Sequence, residues 1–347
     1  MPPISESIAS DVTVADLGER ALIARIRARI PPAPSSVVVG IGDDAAVVAP
    51  DRGTLTVITT DALVDGIHFD RTFASAADIG HKALAVNLSD LAAMGAAPRH
   101  ALLSLALAPR SPVADIDALV DALLVLAGQH GTALVGGNIA GSTGPISVDV
   151  TVTGSVRRRR MLTRGGARPG DVMYISGQIG GAAAGLASLR GTDSVPTLAT
   201  DRCRRRFLRP DPRVRLGLAL GRNRAARACI DLSDGLADAV HQMTDASGVG
   251  ARIEADRIPI DPEARDWFTR SGADPVSAAL AGGEDYELAF TAPPAFRGRL
   301  AHVRRLIGDL PLTPIGVITK ERDVVLRRDG ADEPLPASFE HFRSAEG

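Results

Sequence analysis

The sequence predicts an α/β chain folded as two domains. Three observations lead there. β-Branched runs alternate with segments of helical periodicity along most of the length. The 347 residues exceed what one hydrophobic core usually organises. A polar, Arg- and Gly-rich break without apolar periodicity falls at 157–171. The expected domains are therefore residues 1–156 and 157–347.

An amphipathic stretch over 16–30 predicts the first helix, ended by Pro31-Pro32, and the valine-rich run 37–41 predicts a strand. Gly40 and Gly42 then turn the chain into Asp43-Asp44. Strands are expected over 55–59, 100–108, 132–135 and 146–156, with helices over 78–94 and 115–129 between them. Beyond the break, 172–176, 286–291 and 314–319 read as strands. Helices are expected over 181–189, 200–209, 214–221 and 233–246, the second stopped by Pro210 and Pro212.

Composition narrows the function. Hydrophobic residues at 45% and charged residues at 23% are those of a chain that folds throughout. A formal net charge of -2 and only 3% aromatics offer nucleic acid neither general attraction nor stacking platforms. Basic runs at 157–160 and 202–206 are expected to be solvated surface. Cys203 and Cys229 have no spacing that suggests zinc or a redox pair, which fits a reducing cytoplasm. Glu6, Asp11, Asp16 and Glu19 leave no apolar core for a signal peptide, and no apolar run approaches the roughly 20 residues of a membrane span.

The carboxylates carry the chemical signal. Asp43-Asp44, Asp61, Asp90 and the Asp231/Asp234 pair fall at strand ends or within an apolar helix, where an acid is destabilising unless something compensates it. A shared cation would compensate them: magnesium and calcium both select hard oxygen ligands, and magnesium in particular bridges carboxylates to phosphates. Each acid alone also fits a structural role: Asp43 or Asp44 in a glycine turn, Asp61 at a strand end, Asp231 or Ser233 capping the following helix. Asp90 is harder to explain that way, since it shares an apolar helical face with Asn87. The turn Gly177-Gln178-Ile179-Gly180-Gly181 fits both an anion cradle at a helix N-terminus and a plain tight turn. Gly136-Gly137-Asn138, at the end of a strand, offers a second backbone approach for a ligand. The chain lacks a phosphate-binding loop, a nucleophile elbow, a zinc-protease helix and a protein-kinase catalytic loop.

Together these segments resemble the thiamine-monophosphate kinase family. The resemblance rests on Gly40-Ile41-Gly42-Asp43-Asp44-Ala45, Thr59-Thr60-Asp61 with Asp65-Gly66-Ile67-His68-Phe69, and the stretch 82–95 around Asn87-Leu88-Ser89-Asp90. Leu162-Thr163-Arg164, Pro169-Gly170-Asp171, Ile230-Asp231-Leu232-Ser233-Asp234-Gly235-Leu236 and Gly282-Gly283-Glu284-Asp285-Tyr286-Glu287-Leu288 follow in order. It implies the two-domain fold shared with aminoimidazole ribonucleotide synthetase, usually a homodimer paired through N-terminal domains. It also implies transfer of the ATP γ-phosphoryl group to thiamine monophosphate.

By matching motifs, Asp44, Thr59, Thr60, Asp61, Asp90, Asn138, Asp231 and Asp234 would hold several magnesium ions. Gly137, Asn138, Arg164 and Ser233 would contact the nucleotide; His68, Glu284 and Phe339 would contact the thiamine part. Asp44, Asp90, Asp234 and Arg164 would act on the reacting phosphates. The family commonly has aspartate where this chain has Asn138, which keeps an oxygen ligand and removes a charge. Two rivals within the superfamily call for a cysteine near the N-terminus or at the extreme C-terminus, and neither is present. The motifs at His68 and 282–288 fit aminoimidazole ribonucleotide synthetase less well. A rival of another class is a nucleotide-binding protein that has kept the fold and lost turnover.

Overall fold

The computed structural model describes residues 12–191 and 198–336. They form two compact units, one of residues up to Asn87 with Pro98–Ser155, the other of Leu88–Ala97 with residues from Val156 onward.

In the first unit, α1 (Val14–Leu17) and α2 (Glu19–Arg29) replace the single helix expected over 16–30. Thr13 caps α1 and exchanges bonds with Asp16, so the first turn ends at Gly18 and a new helix starts. β1 (Val37–Val39) and β2 (Val47–Val48) form a short antiparallel ribbon around the Gly40–Ala46 turn. The main sheet contains β3 (Leu55–Val64), β4 (Ala97–Leu107), β5 (Ala133–Gly141) and β6 (Ser147–Val156), in the order β3-β6-β4-β5. α3 (Ala76–Ala93) links β3 to β4, and α4 (Val113–His130) is the crossover that parallel pairing of β4 with β5 requires. Val148, Val150 and Val152 alternate along β6 with half-buried polar residues, so one sheet face is core.

The second unit is built on β7 (Val172–Ser176), α5 (Gly181–Arg190), α6 (Leu198–Leu208), α7 (Val214–Asn223), β8 (Ala228–Asp231) and α8 (Leu236–Ser247). It continues with β9 (Gly250–Glu254), α9 (Pro262–Arg270), α10 (Pro275–Ala281), β10 (Leu288–Ala292) and α11 (Arg297–Ile307). β11 (Leu312–Thr319), β12 (Val324–Arg328) and β13 (Ala331–Pro334) complete it. Its sheet runs β13-β12-β9-β11-β7-β10-β8, with β8 at an edge beside β10. Met173, Ile175, Ile230, Val240, Met243, Ile253 and Ile315 fill the core beneath it.

Differences from expectation have local causes. α9 and α10, too short for their periodicity to stand out, start because Asp261 and Asp274 cap them and Pro262 and Pro275 follow. β5 runs through Gly136-Gly137-Asn138 and does not stop before them, because its ladder with β4 continues to Gly141. α8 begins at Leu236, and neither Asp231 nor Ser233 caps it.

The basic run at 202–206 is only partly solvated. Arg202 meets Asp261 at 2.8 Å, Arg204 donates to Ser188 Oγ at 2.9 Å, and Arg206 donates to the Gln178 carbonyl at 2.6 Å.

Candidate active site

Each unit gathers its own set of the residues picked out by the sequence. In the second unit, β8 delivers Asp231 at its last position, paired in register with Leu288 of β10. The Asp231 carboxylate is buried and accepts a hydrogen bond from Ser89 Oγ at 2.7 Å. Ser89 is a buried polar residue of α3, and a lone serine beside Asp90 carries no signal of this role in the sequence.

Burial first, and then the nearby negative charge of Asp90, push the Asp231 carboxyl up to about 7, against the opposing pull of Ser89 and Arg164. Two acids that repel one another beside Arg164 make an oxygen-rich, cation-seeking cluster. Arg164 itself is exposed and donates to Gln242 Oε1 of α8 at 2.5 Å. Ser233 Oγ donates to Asp234 Oδ2 at 3.0 Å, and both residues are half-buried in the turn before α8.

Backbone bonds tie this turn to residues 284–287. The Glu284 N–H donates to the Ser233 carbonyl at 2.6 Å and the Tyr286 N–H to the Leu232 carbonyl at 3.0 Å. Asp285 points the other way and accepts from the Gly180 and Ala182 amides at 2.6 and 3.1 Å. The N-terminus of α5 is therefore filled by a carboxylate of the chain itself, and the tight-turn reading of 177–181 holds over the anion-cradle reading. Burial pushes Asp285 up to about 6, even with Arg206 and the two amides drawing it down.

The first unit holds a cleft of about 930 Å³. It is lined by the Gly40–Ala46 turn and by β4 and β5, with Asp149, Thr151 and Thr153 of β6. Asp43, Asp44, Gly137 and Asn138 meet there, and the Asp44 N–H donates to Asp43 Oδ1 at 2.9 Å. A Cβ on Gly137 would lie 1.8 Å from the Leu103 carbonyl oxygen, so glycine is what lets β5 approach β4 at that point. Asn138 beside it is exposed, in register with Ser104.

The run Thr59-Thr60-Asp61 divides. Thr60 shares a hydrogen bond of 2.9 Å with Thr151 on the cleft side, whereas strand alternation places Thr59 and Asp61 on the opposite face of β3, half-buried.

His68 lies in the turn after β3. Its Nδ1 accepts the Val64 N–H at 3.1 Å, which places the ring proton on Nε2, and its carbonyl accepts from the buried Lys82 Nζ at 3.0 Å. Phe339 lies outside the described residues.

Cys203, Asp261 and Glu263 also cluster within 4.8 Å of one another. Asp261 is committed to Arg202 and to capping α9, and burial pushes the Cys203 thiol up to about 12. That group belongs to the α6–α9 packing, with Asp261 already engaged by Arg202 and the α9 cap.

Two family models match the chain: AIR synthase related protein, N-terminal domain, over residues 42–156, and the corresponding C-terminal domain over 168–329. The thiamine-monophosphate kinase of Escherichia coli (strain K12) is 40% identical over 332 residues, covering 94% of this chain and 98% of that protein. The chain belongs to the thiamine-monophosphate kinase family. Among solved structures of this family, the enzyme of Stenotrophomonas maltophilia K279a superposes with a TM-score of 0.79 at 41% identity, covering 90% of this chain and 96% of that one. A second structure, AaThiL complexed with AMPPCP and TMP, superposes at 0.75 with 30% identity, covering 96% and 100%. The family and the two-domain α/β fold expected from the kinase motifs are both borne out.

Proposed function

We propose that this chain transfers the γ-phosphoryl group of ATP to the phosphate of thiamine monophosphate, giving thiamine diphosphate and ADP, as a step of thiamine diphosphate biosynthesis. The observation that carries the reading is the Ser89–Asp231–Asp90 cluster with Arg164, found in a chain whose relative AaThiL is complexed with AMPPCP and TMP. Hard oxygen donors gathered around Asp231, whose carboxyl is pushed up by burial and then by the charge of Asp90, fit magnesium. Asp90, Asp231 and Asp234 of the second unit would hold one ion; in the first unit Asp44, Asn138 and Thr60 would hold another from the cleft side of β3, and Thr59 and Asp61 a further one from the opposite face. When bound, magnesium would supply Lewis-acid neutralisation of the phosphate charge.

The chain's own residues divide the remaining work. Ser89 fixes the orientation of Asp231, so that carboxylate is set before any ligand arrives. Arg164 supplies a cation for the transferring phosphoryl group and, with Ser233, Gly137 and Asn138, contacts the nucleotide. His68, as its Nε2–H tautomer, donates to the acceptor, and Glu284 and Phe339 complete the contact with the thiamine part. No protein nucleophile is called for, since the acceptor is already an anionic phosphate oxygen.

The same reading includes a homodimer, supported by apolar side chains exposed on the first unit, and a cytoplasmic location, supported by two free buried cysteines. No helix of the described residues is long and apolar enough to cross a membrane. Incubating pure protein with ATP, magnesium and thiamine monophosphate, beside thiamine and other phosphate acceptors, tests the assignment. Thiamine diphosphate formed from the monophosphate alone is the expected result. Nucleotide binding without that product would overturn it.

A further inference from the structure

Glu284 and Tyr286 hold φ angles of +70° and +49°, in the left-handed region that residues with side chains seldom occupy. Backbone of this kind persists where its surroundings over-determine it. The alternate residues provide those surroundings. Asp285 is locked onto the first amides of α5.

Glu287 is fully buried, gripped by Arg213 through Nε at 2.7 Å and Nη2 at 2.5 Å, and by Ser176 Oγ at 2.5 Å. Its carboxylate occupies space left by Gly177, where a Cβ would sit 2.1 Å from Glu287 Oε1. Ser176 closes the arrangement by accepting the Leu288 N–H at 2.9 Å. Meanwhile the backbone of 284–287 carries the turn with the acids, through Glu284 to Ser233, Tyr286 to Leu232, and the Leu232 N–H to the Glu287 carbonyl at 2.9 Å.

We propose that Asp285 and the Arg213–Glu287 pair are positioning residues that hold Glu284, Ser233 and Asp234 in their working geometry without touching substrate themselves. The proposal rests on the kinase reading above for what that geometry serves. A buried ion pair is weak evidence of stabilisation, because an apolar pair of similar volume often serves stability equally well. Its place here is better explained by what it orients. A bidentate guanidinium fixes Glu287 in direction as well as in charge, and Glu287 in turn fixes the segment leading into β10, in which Glu284 and Tyr286 are strained.

The test uses the full chain in two variants. The double variant Arg213→Met with Glu287→Leu removes the pair together, leaves Arg206, which also meets Glu287 at 3.4 Å, to Asp261 and Asp285, and is expected to melt within about 5 °C of the parent. Arg213→Lys keeps the charge and loses the fork. Hydrogen exchange over 283–287 is expected to speed by about 10-fold or more in the double variant. Its kcat is expected to fall by about 100-fold while KM for ATP rises by less than about 10-fold, and Arg213→Lys to lie between it and the parent.

Folded variants with parental exchange and parental kcat would overturn the proposal. So would variants that melt early while their folded fraction turns over at the parental rate. Should the parent form no thiamine diphosphate, the kinase reading falls, and exchange over 283–287 alone decides whether the pair holds the loop.

Discussion

Removing the negative charge of Asp90 is expected to separate turnover from stability. Asp90→Asn takes away a ligand for the proposed magnesium and relieves the repulsion that raises Asp231. Turnover should fall by about 100-fold or more, while the thermal midpoint stays level or rises by a few degrees. A variant that unfolds and keeps normal turnover in its folded fraction would make Asp90 part of the scaffold.

The same pair predicts a dependence on pH. Asp231 binds its proton more tightly folded than unfolded, because its folded pKa is raised to about 7. Its protonated form therefore stabilises the fold, and that contribution is lost as pH climbs from the usual carboxylate range through about 7. Asp285, raised to about 6, adds the same sign over a lower window. Melting temperature without magnesium should fall between about pH 5 and about pH 8, and added magnesium should reverse the fall at the upper end only. Equal effects of magnesium at both ends would remove Asp231 from the metal argument.

Asn138 is exposed in the cleft beside Asp43 and Asp44, so Asn138→Asp adds a charged ligand without disturbing packing. Half-saturation by magnesium should shift to lower concentration in a titration of activity, and superimposable curves would discount the position.

At the scale of elements, the β4–β5 ladder explains why the paired glycines stand inside a strand. Gly137→Ala would force a methyl group into the Leu103 carbonyl, and because backbone cannot yield as a side chain does, a loss of about 2–4 kcal/mol is expected from chemical denaturation. Parental stability would show that the strands separate there without cost. This close approach was not legible in the sequence, where glycine reads as a strand end; only the partner strand reveals it.

The helices flanking it were legible, because α3 and α4 carry long apolar periodicity. Acid positions were legible too, since Asp90 and Asp231 stand out among apolar neighbours. What each acid does was not. Asp285 and Glu287 sit in the same motif as Glu284, yet their side chains serve α5 and Arg213, partners roughly 75 to 105 residues away along the chain. Thr59, Thr60 and Asp61 read as one cluster until the pleat of β3 sends them to opposite faces.

For the molecule as a whole, association is the property that the charge and surface of this chain bear on most directly. Ile58 is 68% exposed and Leu102 41%, both large apolar side chains on the main sheet of the first unit. Leu102 lines the cleft, and Ile58 lies on the same side of β3 as Thr60, which bonds to the cleft residue Thr151. Val47 and Val48 add exposed apolar surface from the short ribbon nearby in sequence. Large apolar side chains exposed in this number are costly to leave in water and mark interaction faces.

A second copy presents the same face, and a formal net charge of -2 opposes pairing only weakly. Light scattering on the parent should therefore give the mass of a dimer, and the double variant Ile58→Asp with Leu102→Asp that of a monomer with its melting transition intact. A charge placed on each copy's face is doubled across the interface by symmetry, so two substitutions should suffice. A parent that stays monomeric at assay concentrations would leave the apolar face without its second copy, and the dimer reading would be withdrawn.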